Sequence, residues 1–153
     1  MIPVSEVTWE YFGDPVMGGV SEGSARMEDG AVRLMGRVST ANNGGFIQAR
    51  ADLDAGPPEG ATGVTIRVRG NGERYFIHLR RRGVSMPWQF YQAAFETGPD
   101  WQEITLPWSS FAPFGNIQPP TVPVDRIRSL ALVAYGRDHD ADVWLQSFGW
   151  AGA

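Results

Sequence analysis

The chain has 153 residues, about the length of one domain, and its composition of 42% hydrophobic and 20% charged residues excludes a disordered protein. All 13 basic residues are arginines, and with 17 acidic residues the net charge is −4, which argues against nucleic acid as a partner. Because the sequence has neither lysine nor cysteine, Schiff-base chemistry, thiol nucleophiles, disulfides and zinc fingers are excluded.

Turn signals recur at short intervals, and the residues between them alternate in polarity or favour β-strands. We predict strands at Val7–Phe12, Ser24–Glu28, Ala31–Val38, Phe46–Asp52, Val64–Arg69, Arg74–Arg81, Trp88–Thr97, Trp101–Leu106, Ser129–Tyr135 and Val143–Trp150. Asp29-Gly30 and Gly70-Asn71-Gly72 are typical of hairpin turns and predict that the strands flanking each of them pair. About ten strands without crossover helices indicate an all-β fold, a single antiparallel β-sandwich or barrel over residues 1–153.

Alternation within three strands separates an apolar face from a face that mixes arginine, glutamine, histidine and phenylalanine. The apolar faces consist of Ile47, Ala49, Ala51, Val64, Ile66, Val68, Tyr75, Ile77 and Leu79. The opposite faces carry Phe46, Gln48, Arg50, Thr65, Arg67, Arg69, Phe76, His78 and Arg80. If these second faces align, they form an Arg–aromatic surface. The alternative is an ordinary solvated sheet with isolated aromatic residues.

Residues Gly19-Val20-Ser21-Glu22-Gly23 spell the G-x-S-x-G motif of a hydrolase nucleophile elbow. An elbow requires a strand, a sharp turn and a helix, whereas the residues that follow here predict a strand and a hairpin. The two histidines, His78 and His139, lack the local context of a catalytic base. We therefore interpret Ser21 as a turn residue and expect no catalytic residues and no enzymatic activity.

The segment Asp138-His139-Asp140-Ala141-Asp142 places three carboxylates at alternate positions, as calcium loops do. Val143 and Gly149 stand where an EF-hand loop has its glycine and its glutamate. We interpret the segment as a solvated hairpin tip, with a weak structural calcium site as the alternative. No metal and no other cofactor is expected.

The segment D-P-V-M-G-G-V-S, from Asp14 to Ser21, predicts a shaped loop. Its proline and its two glycines, Gly18 and Gly19, set the turn, and Asp14 is able to bond nearby backbone N–H groups. An exposed methionine in such a loop, here Met17, is an adaptable apolar contact.

This loop resembles the fingerprint of the complex I intermediate-associated protein 30 family, written D-x-V-M-G-G-x-S. Further family-like stretches follow in order: Asn43-Gly44-Gly45-Phe46 with Arg50, Val68-Arg69-Gly70-Asn71-Gly72 with Tyr75, Tyr91-Gln92-Ala93-Ala94-Phe95 with Thr97 and Trp101, and Leu106-Pro107 with Phe111 and Pro113. With Trp9, which precedes the fingerprint, the resemblance covers nearly the whole chain.

The family is similar in fold to galactose-binding domains, so the resemblance implies a jelly-roll β-sandwich, in agreement with the strand pattern. Its best-known member is a mitochondrial factor that attends respiratory complex I during assembly. The resemblance therefore implies binding of a protein assembly intermediate. No catalytic residues are established for the family, and none is carried over.

We expect a non-enzymatic binding domain whose partner is such an assembly intermediate. The predicted contact residues lie in the fingerprint loop, the turn near Phe46 and the mixed strand faces; they are Asp14, Met17, Gly18, Gly19, Asn43, Arg50, Arg69, Arg80, Trp88 and Tyr91. The arginines would donate forked hydrogen bonds to carboxylates, and the two aromatic residues would be anchors. The alternative for Asp14 and Asn43 is a structural role, in which they satisfy backbone groups and hold loops together.

A second hypothesis is a module that binds a carbohydrate or another small polar ligand. A sandwich face that carries tryptophan, tyrosine, arginine and asparagine is suited to stacking and hydrogen-bonding such a ligand.

The amino terminus and the absence of long apolar stretches bear on location. No run approaches the roughly 20 apolar residues that cross a bilayer, so no membrane insertion is expected. The segment Met1–Phe12 contains glutamates and no arginine, unlike a secretory signal or a transit peptide. We therefore expect a cytoplasmic protein.

Overall fold

A computed structural model describes residues 1–82, 89–115 and 118–152, without the side chains of Val16, Met17 and Asn43. Within these ranges the chain forms two antiparallel β-sheets of six strands each, and its helical segments are short 3-10 turns. No helix in the described ranges has the length and apolar character needed to cross a membrane. The predicted all-β fold, an antiparallel β-sandwich, is confirmed.

The strands are β1 Ile2–Pro3, β2 Trp9–Gly13, β3 Glu22–Glu28, β4 Ala31–Val38, β5 Phe46–Asp52, β6 Gly63–Gly70, β7 Arg74–Arg81, β8 Phe90–Glu96, β9 Gln102–Pro107, β10 Ala112–Phe114, β11 Ile127–Tyr135 and β12 His139–Ala151. Each predicted strand has a counterpart among them. The sequence pattern predicts neither β1 nor β10, because strands of two and three residues are too short to show alternation.

The two sheets are named here by the order of their strands. The front sheet has the order β10-β8-β7-β11-β5-β2. The back sheet has the order β3-β4-β12-β6-β9, and β1 pairs with the later part of β12. Strands that follow one another in sequence often belong to different sheets, so the chain passes repeatedly across the sandwich.

The core lies between the sheets and is built from the apolar faces that alternation predicts. Three side chains of β6 in the back sheet and three of β7 in the front sheet are fully buried there: Val64, Ile66, Val68, Tyr75, Ile77 and Leu79. Burying an aliphatic side chain of this size contributes about 1.5–3 kcal/mol. Burial of these two faces in one hydrophobic core therefore holds the two sheets together.

The hairpin predicted at Asp29-Gly30 is confirmed. β3 pairs with β4 directly across this turn, and Asp29 and Gly30 have positive φ angles of 51° and 76°. These angles are typical of a type I′ turn, which favours the Asp-Gly dipeptide.

The hairpin predicted at Gly70-Asn71-Gly72 is wrong. β6 pairs with β12 and β9 in the back sheet, whereas β7 pairs with β8 and β11 in the front sheet. The turn carries the chain from one sheet to the other. Asn71 holds it in place, since its amide donates to Asp140 O at 2.9 Å and accepts from the Tyr75 hydroxyl at 2.5 Å. Glycine-rich turns occur both in hairpins and in connections between two sheets. Only the packing of the flanking strands therefore distinguishes the two cases.

Candidate functional site

The fingerprint loop folds around the side chain of Asp14, which has no exposed surface. Its carboxylate accepts hydrogen bonds from the backbone N–H groups of Ser21 at 2.8 Å, Gly45 at 2.5 Å and Phe46 at 3.2 Å. The Ser21 hydroxyl also donates to it at 2.5 Å, and accepts from the backbone N–H of Ser39 at 2.9 Å. One carboxylate thus ties the loop to the segment after β4 and to the start of β5.

The ionisation of Asp14 follows from these hydrogen bonds. Burial alone would raise the pKa of its carboxyl group. The hydrogen bonds donated by Ser21, Gly45 and Phe46 outweigh burial and hold the pKa below its ordinary value. The charged carboxylate is therefore a structural acceptor in the folded protein.

Two glycines pack directly on this carboxylate. A Cβ atom would lie 2.5 Å from Asp14 Oδ1 if placed on Gly19, and 2.5 Å from Asp14 Oδ2 if placed on Gly44, which is too close for any side chain. Gly18 has a positive φ of 86°, and its N–H bonds back to Pro15 O at 3.1 Å. The glycines of the fingerprint are thus required for the loop to close on Asp14.

The side chains of three other predicted contact residues lie outside the part of the chain that the structure describes. Met17 and Asn43 end the 3-10 turns Asp14–Met17 and Ala41–Asn43, and their side chains lie outside the described part of the chain. Trp88 lies entirely outside the described residues.

Ser21 has the environment of a structural residue. It is 1% exposed, and its hydroxyl is engaged with Asp14 and Ser39. The residues that follow it form strand β3, whereas a nucleophile elbow requires a helix. This geometry agrees with its interpretation as a turn residue.

The segment predicted as a hairpin tip between the last two strands has a different structure. Asp140 and Asp142 lie within β12 of the back sheet, whereas the preceding strand β11 belongs to the front sheet. Asp142 forms a bidentate ion pair with Arg33 at 2.9 Å, and Asp138 accepts the Thr40 N–H at 2.7 Å. Within the described residues, no three His, Cys, Asp or Glu side chains are arranged to hold a metal ion.

The outer face of the front sheet has a central row of small side chains on β11. Ser129, Ala131 and Val133 face outward and are at most 7% exposed, because larger residues on both neighbouring strands enclose them. Those larger residues are Phe76, His78 and Arg80 on β7, and Gln48, Arg50 and Asp52 on β5. We call these three rows together the front-face trough.

Polar atoms of the trough lie buried without a hydrogen-bond partner in the part of the chain that the structure describes. They are Gln48 Oε1, Arg50 Nε, His78 Nδ1 and Ser129 Oγ. Gln48, His78 and Ser129 are only 4%, 2% and 7% exposed. Each such group costs about 1–3 kcal/mol of stability. Several of them lie on one face of one sheet, where neighbouring side chains cover them.

His78 is held firmly within the trough. Its ring stacks on Phe90 with centroids 3.8 Å apart, and its Nε2 lies 2.7 Å from Gln92 Oε1. Because an amide oxygen only accepts, Nε2 carries the proton and Nδ1 is left as an acceptor. Burial, together with the nearby charges of Arg80 and Arg50, lowers the pKa of His78 to about 3. The ring is therefore neutral at physiological pH.

Two guanidinium groups, those of Arg50 and Arg80, face the trough. Arg50 lies over the Phe12 ring, 4.4 Å from its centroid, and has no hydrogen bond or ion pair with any described residue. Burial lowers the pKa of Arg50, and the negative charges of Asp52 and Glu10, which raise it, have the smaller effect. Burial and the like charge of Arg50 lower the pKa of Arg80 to about 10. The positive charge of Arg50 thus disfavours the charged form of Arg80.

Aromatic side chains cover one side of the trough. Phe90 stacks on Phe114 with centroids 4.8 Å apart, and Tyr135 packs edge-on against both at 6.3 Å. Phe76 meets Tyr135 at 6.0 Å. Phe114 is 42% exposed, so this cluster presents aromatic surface to solvent beside buried polar groups.

A cleft of about 540 Å³ adjoins the trough at the β2 edge of the front sheet. Phe12 and Arg50 belong both to this cleft and to the outer face of the sheet. The acidic side chains that line the cleft are Glu6, Glu10, Asp52 and Asp54, all of them exposed. The cleft therefore opens a route from solvent to the Arg50 guanidinium.

The mixed strand faces do not all align into one Arg–aromatic surface, because Arg69 lies on the opposite side of the molecule from Arg50 and Arg80. It belongs to β6 of the back sheet. Its guanidinium sits between Trp144, at 4.4 Å, and Trp101, at 5.2 Å. Alternation assigns a side chain to one face of its own strand, but the sheet that the strand joins depends on contacts distant in sequence.

Tyr91, which the sequence predicts as an aromatic anchor for a partner, is fully buried in the core. Its hydroxyl donates to Pro119 O at 2.8 Å. Phe90 and Gln92, its neighbours on β8, point to the outer face instead. The aromatic contribution of this strand to the outer face is therefore Phe90.

The structure brings Arg50 and Arg80 together and adds residues to which the sequence assigns no role. Alternation places Gln48 and His78 on mixed faces, but no motif marks them. Ser129 is not recognised at all, since β11 is apolar on both sides and its outward row is defined only by its neighbours.

The family model described as Complex I intermediate-associated protein 30 (CIA30) matches residues 3–146 of the chain. The chain belongs to the CIA30 family. The resemblance carried by the fingerprint and the stretches after it is thereby confirmed. No curated protein sequence matches the chain.

Solved structures similar to this CIA30 chain include carbohydrate-binding modules. The family 11 module of the cellulosomal cellulase Lic26A-Cel5E of Clostridium thermocellum superposes with a TM-score of 0.75 at 16% identity, covering 96% of this chain and 89% of that one. The family 11 module of the same organism in complex with a β-1,3-1,4-mixed-linked tetrasaccharide gives 0.72 at 16% identity, with coverages of 95% and 89%. A family 29 module gives 0.54 at 7% identity, with coverages of 95% and 79%. These similarities establish the predicted fold, a jelly-roll β-sandwich like that of galactose-binding domains.

Replacing Asp14 by alanine is expected to lower the free energy of unfolding by about 3 kcal/mol or more, because several buried N–H groups lose their acceptor. Urea unfolding at pH 7 measures this, with the exposed Asp100→Ala as a control expected to change stability by less than about 0.5 kcal/mol. Since the folded pKa of Asp14 is lowered, its stabilisation is present above the unfolded pKa of 3.8 and disappears as the pH falls below it. A loss under about 1 kcal/mol at pH 7 would show that Asp14 has no structural role.

His78 is expected to make stability depend on pH. Its pKa is about 3 when folded and 6.5 when unfolded, so its contribution is complete above pH 6.5 and is lost as the pH falls toward 3. In that window the extra proton bound by the unfolded chain lowers the free energy of unfolding by about 1.4 kcal/mol per pH unit. Urea unfolding at a series of pH values should show a slope smaller by this amount for His78→Gln. Equal slopes would mean that His78 is not buried as a neutral ring.

Proposed function

We propose that this CIA30 chain is a binding module that holds a saccharide on the outer face of its front sheet and carries out no chemical step. The observation that supports this most directly is the set of buried, unpartnered polar atoms in the front-face trough. Their cost of about 1–3 kcal/mol each is offset when a bound molecule displaces the side chains that cover them and supplies the missing hydrogen bonds.

The chemistry of these atoms fits a ligand rich in hydroxyl groups. Gln48 Oε1 and His78 Nδ1 accept hydrogen bonds, Arg50 Nε donates, and the Ser129 hydroxyl does either. A sugar hydroxyl likewise donates and accepts, so one kind of group satisfies all four atoms.

The aromatic cluster adds apolar contact beside these polar atoms. Phe114 and the half-buried rings of Tyr135 and Phe76 form a surface against which the C–H face of a sugar ring packs. Binding sites for small molecules combine apolar walls with a few oriented polar groups, as this face does.

The similar solved structures support the saccharide proposal through their fold. One of the family 11 modules is in complex with a β-1,3-1,4-mixed-linked tetrasaccharide. At 16% identity its ligand is not transferred to this chain, but a sandwich of this shape is suited to binding an oligosaccharide.

The substitutions Ser129→Ala and Gln48→Met are expected to lower the affinity for a saccharide without lowering the free energy of unfolding. Each removes a buried polar atom without a described partner, so the free energy of unfolding should stay the same or rise by up to about 1 kcal/mol. The affinity for a saccharide found on a glycan array should fall about 3–10-fold, since one hydrogen bond to the ligand is lost.

The matched control for Ser129→Ala is Ser24→Ala, which removes an exposed hydroxyl on β3 of the back sheet and should change neither quantity. Calorimetric titration measures the affinity and urea unfolding the stability. Variants that lose stability while keeping full affinity would assign these side chains to the fold and contradict the proposed site.

Family membership favours a second candidate, the binding of a protein intermediate in complex I assembly. Arg50 and the aromatic cluster would then contact a carboxylate and an apolar side chain of the partner. Co-purification of the tagged chain from native extract, followed by mass spectrometry, tests this candidate. Recovery of complex I subunits with the wild-type chain supports it, and recovery of none counts against it.

A further inference from the structure

We propose that the saccharide held in the front-face trough is acidic, with a carboxylate that binds the Arg50 guanidinium and hydroxyl groups that bind Gln48 and His78. This inference rests on the function proposed above and names the chemical class of its ligand.

The Arg50 guanidinium is the free cation of this site. It makes no hydrogen bond or ion pair with the described residues and lies against the Phe12 ring, which leaves its N–H groups for a ligand. The edge cleft reaches it from solvent. A guanidinium fork matches a carboxylate in plane with two parallel hydrogen bonds, which are about twice as strong as neutral ones.

The trough contains two cations and a neutral imidazole, and exposed carboxylates lie at its edge. Arg80, 8% exposed, adds a buried cation to the half-buried Arg50, and His78 stays neutral. The carboxylates of Asp52 and Glu10 are exposed and form no ion pair with Arg50 within the described residues. Asp52 and Glu10 still act on Arg50, because their charges raise its pKa, so a ligand carboxylate gains its binding energy from direct hydrogen bonds to the guanidinium.

The remaining polar atoms of the site require more than a carboxylate. Gln48 Oε1 and His78 Nδ1 are acceptors, which repel an anion and need donors. A simple carboxylate offers none, whereas a uronate sugar carries hydroxyl donors and a carboxylate on one ring. The combination of a free guanidinium with two buried acceptors thus distinguishes an acidic sugar from a neutral sugar and from a simple organic acid.

The test compares uronate oligosaccharides with their own methyl esters, which keep the hydroxyl groups and remove the charge. Tetramers of galacturonate, mannuronate and glucuronate, their methyl esters, and neutral glucan tetramers are titrated into the full chain by calorimetry. At least one uronate is expected to bind about tenfold more tightly than its ester. Arg50→Gln should abolish this preference, and Arg26→Gln, which removes an exposed arginine from the back sheet, should retain it.

The possible results separate the two proposals. If esters or neutral glucans bind as tightly as the uronates, the acidic ligand is ruled out and the saccharide site stands. If Arg50→Gln keeps the preference for the acid, the assignment of the carboxylate to Arg50 is wrong. If no oligosaccharide of any class binds, both this inference and the proposed function fail.

Discussion

The hydrogen bonds that the buried carboxylate of Asp14 accepts are the interaction on which the fingerprint loop and the start of β5 in the front sheet depend. It receives hydrogen bonds from Ser21, Gly45 and Phe46, and through the Ser21 hydroxyl it also fixes Ser39. Removing a partner from such a network leaves several buried donors without an acceptor, which costs more than any one of the bonds contributes. In this chain the fingerprint loop is in this way a structural element.

This anchor and the proposed site are linked through β5. The strand begins at Phe46, where Asp14 holds the backbone, and within it Gln48 and Arg50 project into the front-face trough. A loop that fixes the start of a strand fixes the register of every side chain along it. The loop and the trough therefore have different roles: the first positions the second, and the second carries the unpartnered polar atoms that a ligand would satisfy.

The sequence predicted the strands, the Asp29-Gly30 hairpin and the family, because each of these depends on residues close together in the chain. It also predicted the core face of β6, since alternation is a local property. The sheet to which a strand belongs is not local. Gly70-Asn71-Gly72 therefore predicts a hairpin, although the turn joins two different sheets. For the same reason, alternation places Arg69 on the same kind of face as Arg50, although the two residues lie on opposite sides of the sandwich.

The trough itself was not predictable for the same reason. His78 and Ser129 are separated by 51 positions in the sequence and become close neighbours only through the pairing of β7 with β11. The residue type of Tyr91 predicts an anchor, whereas the alternation of β8 buries this residue and places Phe90 on the outer face. Unpartnered buried atoms become visible only when all their neighbours are known.

The central claim, that the front face is the binding surface, is tested most directly by mapping backbone amide shifts in NMR spectra during titration with pooled uronate and neutral oligosaccharides. The account predicts that the shifts concentrate at Gln48, His78, Phe90 and Tyr135, with little change at the Asp14 loop or at Trp144 of the back sheet. Shifts confined to the loop or to the back sheet would contradict it.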